Sequence, residues 1–143
     1  NGTFTTDVFT IGSHELVNYS GDSYVFYAFK GIEGYSKIGS YVGNGNSSGT
    51  YVYTGFRPAF LLTKEATATS GWNIRDSVRS PDNPVNEALQ TDTTGTELTS
   101  NYNVDFLSNG FKLRTSASDS NTSSQTYIYW AFAESPFKYA NAR

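Results

Sequence analysis

Hydrophobic residues along this chain come in short runs, alternating or nearly continuous, broken every few positions by Gly, Asn, Ser, Thr or Asp. The densest run covers residues 126–134, where aromatic and β-branched residues follow one another with no Gly or Pro. Such a run predicts a strand buried on at least one face. A run at 23–30 has the same make-up: Tyr24 matches Tyr127, Val25 matches Ile128, Phe26 matches Tyr129, Ala28 matches Ala131 and Phe29 matches Phe132. One strand type is therefore written twice.

The same pattern predicts further strands. They fall at residues 4–11, 38–42, 50–54, 59–64, 71–76, 104–107 and 111–114, with a short one at 15–18. Within 71–76, Trp72 and Ile74 alternate with Asn73 and Arg75, which predicts one apolar and one polar face. Residues 85–89 fit a short strand or a helical turn equally well. Loops are expected at 43–49, where Gly and Asn accept positive φ or form side-chain turns, at 65–71 and at 116–125. Ser108, Asn109 and Gly110 predict a tight hairpin turn. Roughly ten strand candidates with turn signals about every 8–12 residues point to an all-β fold, an antiparallel β-sandwich or barrel.

The duplication extends beyond the aromatic run. Both copies follow a strand-like stretch and a loop, and both leave through a Glu-containing exit, at 33–37 and 134–138. Residues 1–37 are accordingly expected to be C-terminal strands of a preceding repeat, or N-terminal strands of the same sandwich, and 38–143 one complete sandwich repeat. A period this long fits tandem domains better than a solenoid. The alternative is that the two ribbons are equivalent halves of one sandwich.

Composition narrows the function classes. The chain has no Cys, which removes disulfides, thiol nucleophiles and Cys-based zinc sites. It has no Met, so it is expected to be a processed product or a segment of something longer. No apolar run approaches membrane-spanning length, and no membrane insertion is expected. With 10 basic and 13 acidic residues scattered singly, net charge −3, it lacks the clustered basic face that nucleic acid requires.

Several stretches are similar to a domain of virion structural proteins, often tail fibres, of tailed bacteriophages, particularly marine ones. They are residues 34–45, 53–60, 105–112 and 127–138. The resemblance covers most of the chain from about Phe9 onward and rests on turn and strand signatures. It implies a concanavalin A-like or laminin-G-like jelly roll in an extracellular virion appendage facing the host surface. The chain departs from the pattern at 65–71 and 90–102, loops where specificity would lie. Fibre architecture implies homo-oligomers, with trimers expected by analogy.

Candidate chemistry is sparse. His14, the single histidine, sits at a turn with no triad spacing around it. Glu33, Asp76, Asp105 and Glu134 are the carboxylates from which a glycan hydrolase would draw its pair, yet each also reads as a strand-end or loop charge. No catalytic residue is assigned, and the chain is expected not to be an enzyme. Asp82 with Asn83, and Asp119 with Ser120 and Asn121, are oxygen-rich and would be the places for Ca²⁺. Neither follows a known calcium-loop spacing, so no metal or cofactor is assigned. Sugar recognition needs an aromatic face beside planar polar groups. Tyr51, Tyr53, Trp72, Arg75 and Asp76 have that composition and form the candidate ligand set; against this, Trp72 and Trp130 are expected to be core residues, since a sandwich needs large buried aromatics. The expected function is host-surface attachment, to glycan or protein, by a non-catalytic appendage module. The alternatives are a purely structural repeat that assembles a fibre and a glycan hydrolase.

Overall fold

A computed structural model of the chain describes residues 8–137. Eight strands lie between Ser36 and Ala133: β1 (Ser36–Val42), β2 (Tyr51–Tyr53), β3 (Pro58–Glu65), β4 (Asn73–Asp76), β5 (Leu89–Gln90), β6 (Val104–Leu107), β7 (Gly110–Leu113) and β8 (Thr126–Ala133). They form two antiparallel sheets, one in the order β1-β8-β3-β4-β5 and one in the order β2-β7-β6. The fold is all-β, an antiparallel sandwich, as the run lengths and turn spacing predict.

The core is the inner face of both sheets. From the larger sheet come Tyr41, Leu61, Tyr127, Tyr129 and Ala131; from the smaller come Val52, Val104, Phe106, Phe111 and Leu113. Their period of two along each strand places every second side chain between the sheets. Tyr41 stacks on Tyr127 with centroids 5.1 Å apart, and Phe111 meets Tyr129 edge-on at 5.3 Å. Burying these rings with the aliphatic side chains between them holds the two sheets together.

β8 is an interior strand of the larger sheet and is buried on one face, as the density of its sequence predicts. It pairs with β1 on one side and β3 on the other. The matching ribbon at 23–30 behaves differently: it forms no strand, and Tyr24, Val25, Phe26, Tyr27 and Phe29 are exposed. The physical difference is pairing. β8 lies between two complementary edges, whereas 23–30 has no strand beside it among the described residues.

Three further expectations are corrected. Residues 15–18 form one helical turn, α1 (Glu15–Asn18), because His14 caps it, its Nδ1 accepting from Leu16 N–H at 3.2 Å. The polar stretch 116–125 contains a second turn, α2 (Ser118–Asn121), whose Ser120 and Asn121 are buried and plug one end of the sandwich. The hairpin turn falls at Ser108 and Asn109, one residue early, since Gly110 already pairs with Leu107. Gly110 is needed for close approach: a Cβ there would lie 2.2 Å from the Val52 carbonyl oxygen of β2. The strand expected at 4–11 lies partly outside the described residues; its described part contributes only a bridge at Phe9.

Candidate functional site

β4 carries three of the five residues chosen from sequence or flanks them, and its orientation decides what they can do. The alternation at 71–76 is present, but the polar side faces inward: Asn73 and Arg75 are fully buried, while Trp72, Ile74 and Asp76 lie on the outer face. Arg75 runs under α2. Its Nε donates to Tyr102 O at 2.7 Å, one terminal nitrogen to Thr63 Oγ1 at 3.0 Å and the other to Ser120 Oγ at 2.7 Å. Burial lowers its pKa to about 10, opposed by Tyr41, Tyr102 and Asp119, so the guanidinium stays charged at neutral pH. It ties β3, β4 and the end loops together and offers nothing to an outside ligand.

Asp76 is likewise engaged. Its carboxylate accepts from Arg79 Nε at 2.6 Å and from the Val78 and Arg79 backbone N–H groups. Partial burial pulls its pKa upward, but the bonds from Arg79 and Val78 outweigh that and hold it below its usual range. Tyr51 and Tyr53 stand on the outer side of the three-stranded sheet, both exposed. Tyr51 Oη donates to Asn109 Oδ1 at 2.9 Å, and Lys37 Nζ sits 5.2 Å from the Tyr53 ring centroid. The five residues thus lie in three places and do not converge on one site.

Five other candidate groups, Asp105, Glu134, Asn83, Asp119 and Asn121, also have internal partners. Asp105 faces Arg114 at 3.4 Å, and Glu134 faces Arg57 at 3.1 Å. Asn83 exchanges two 2.9 Å hydrogen bonds with the backbone of Phe106. Asp119 accepts from Tyr102 Oη at 3.1 Å. Asn121 Nδ2 lies within 2.9 Å of Asn44 Oδ1, Asn46 O and Thr115 O, while its Oδ1 accepts from Asn44 N. The Gly- and Asn-rich loop at 43–49 is therefore pinned to a buried side chain of α2.

What sequence reading missed is on the outer face of the larger sheet. The register aligns Ile38 with Trp130, Trp130 with Leu62, Leu62 with Ile74 and Ile74 with Leu89. An apolar row therefore crosses all five strands on the side away from the core. The next row pairs Phe132 with Phe60. Here lies a groove of about 430 Å³ lined by Phe29, Phe60, Leu62, Trp72, Trp130 and Phe132. Trp72 and Trp130 are 5.8 Å apart between centroids. Trp130 is thus not core but half-buried on the outside, as is Trp72. The only polar atoms on these six side chains are two indole N–H groups, too few to hold a ring of sugar hydroxyls. The lack of alternation on β3 and β8 carried the signal: both are apolar at odd and even positions, the mark of a strand covered on both faces.

A family profile for a domain of unknown function, DUF7483, matches residues 1–136. The chain belongs to that family. No curated protein and no solved structure matches it. Membership in DUF7483 brings no activity with it. Among the described residues, no helix is long and apolar enough to cross a membrane.

Proposed function

We propose that this DUF7483 chain is a non-catalytic structural module of a tailed-phage virion appendage, acting by assembly with further copies of itself. The observation that carries this is the apolar outer face of the five-stranded sheet. A sheet apolar on both sides is stable in water only when both sides are covered. The phage-type motifs support the setting, and with it a jelly-roll topology and an extracellular location. The duplicated ribbon supports an array of like sandwiches, with residues 1–37 belonging to the junction between neighbours. Trimeric association remains the expectation that fibre architecture supplies.

Sedimentation velocity of the purified chain at micromolar concentration tests this reading. Species larger than one chain are expected, and a single monomeric boundary across the concentration range would refute it.

A second reading, host-surface attachment, is favoured by exposed Tyr51 and Tyr53 beside Lys37, an aromatic pair with a cation at hand. It expects binding to a bacterial-glycan array that is lost in Tyr51→Ala and Tyr53→Ala. An array response unchanged by both substitutions would remove these tyrosines from consideration.

A further inference from the structure

Two apolar surfaces stand out among the described residues: the outer groove of the five-stranded sheet and the aromatic ribbon at 23–30, whose Phe26 packs on Phe9 with centroids 4.3 Å apart. We infer that they are each other's partners between molecules, the ribbon of a second copy lying across the groove of the first. This rests on the assembly reading above and specifies its surface.

Three observations carry it. First, the two surfaces match in chemistry: residues 23–29 contain no charged side chain, and none lines the groove. Second, the root of the ribbon already sits there. Phe29 lines the groove and meets Phe132 edge-on at 6.1 Å, while Val25 and Tyr27 beyond it are 81% and 77% exposed. Of the ribbon, Phe29 is the residue that lines the chain's own groove.

Third, the areas are adequate. The exposed parts of Tyr24, Val25, Phe26 and Tyr27 amount to roughly 400 Å² of side-chain surface, given about 150–250 Å² per aromatic residue. Covering an equal area of the partner's outer sheet face buries about 800 Å² per contact, small for a specific interface on its own. In a closed ring of two or three copies every chain gives one ribbon and receives one, which buries about 800 Å² per chain, the standard size for a specific interface. The sequence of the ribbon fits the role, since it is strand-type throughout yet has no ladder within the described residues.

The test uses the full chain. Val25→Asp/Tyr27→Asp alters the ribbon at exposed positions, and Leu62→Lys alters the groove; Trp72→Thr replaces the latter if Leu62→Lys fails to keep the wild-type circular dichroism. Wild type is expected to self-associate in sedimentation velocity, and each variant alone to sediment as a monomer. An equimolar mixture of ribbon and groove variants is expected to regain a complex of two chains, at higher concentration than wild type needs, because one intact ribbon then meets one intact groove. Both tryptophans of the chain line the groove, so wild-type emission should shift to the blue with concentration, and the ribbon variant's should not. A monomeric wild type overturns both this inference and the assembly reading. A wild type that associates while the ribbon variant associates equally well, or a mixture that stays monomeric, overturns this inference alone.

Discussion

Arg75 has all three guanidinium nitrogens on oxygens of its own chain, so replacing it damages stability and not recognition. Arg75→Ala leaves a cavity and strands Thr63, Ser120 and the Tyr102 carbonyl without their donor. A loss of about 3 kcal/mol or more is expected in urea unfolding. Arg75→Lys should recover little of it, because one ammonium cannot reach three divergent acceptors. Tyr41 makes a second prediction. Its buried hydroxyl donates to Ser120 O at 2.7 Å, and burial pushes its pKa well above the ordinary tyrosine range; Tyr102 and Tyr129 are raised for the same first reason. The unfolded chain ionises these phenols near pH 10 while the folded chain keeps their protons. Their contribution is therefore whole below about pH 10 and falls away above it. Tyr41→Phe should flatten the alkaline limb of a stability-against-pH curve, at a cost of about 1 kcal/mol at neutral pH for the lost hydrogen bond.

Individual strands were legible in the sequence to the extent that their partners were local. β3 and β8 follow from near-continuous apolar runs, β6 and β7 from short apolar runs with flanking turns, and the β6–β7 hairpin from its Ser-Asn-Gly stretch. The ribbon at 23–30 and β4 show where that logic stops. Composition predicts that 23–30 is fit to be a strand, but pairing requires an edge, which no local pattern encodes. In β4 the period is right and the facing is inverted, because Arg75 and Asn73 find buried acceptors in α2 and the loops around it, far away in sequence. That inversion scattered the five chosen ligand residues and hid the outer groove. Gly110 illustrates the same point in reverse: it reads as a turn glycine, while its role is to let β7 approach β2. Gly110→Ala is expected to cost about 1–3 kcal/mol, the usual range for forcing a methyl into filled space. The check is a chemical melt, with the loss concentrated in the β2–β7 pairing as followed by amide exchange.

For the molecule as a whole, exposed apolar side chains are numerous between Val8 and Phe29, the outer sheet face adds a partly exposed apolar groove, and net charge is small. Association through such surfaces should be strengthened by sulfate, which raises the cost of exposing apolar area, and little weakened by added sodium chloride, which screens charge. Sedimentation in the two salts separates this from assembly through ion pairs. The first and last strands add a mechanical consequence. β1 and β8 are antiparallel neighbours with Ser36 opposite Phe132, and the segments flanking them meet at the same corner, where Tyr35 stacks on Phe137 at 5.7 Å. A pull applied along the polypeptide at that corner would open the β1–β8 ladder one rung at a time, like a zipper, instead of loading all rungs together. Strung end to end, such modules would yield to modest tension, so the strength of any filament made from them has to reside in lateral grip between neighbours.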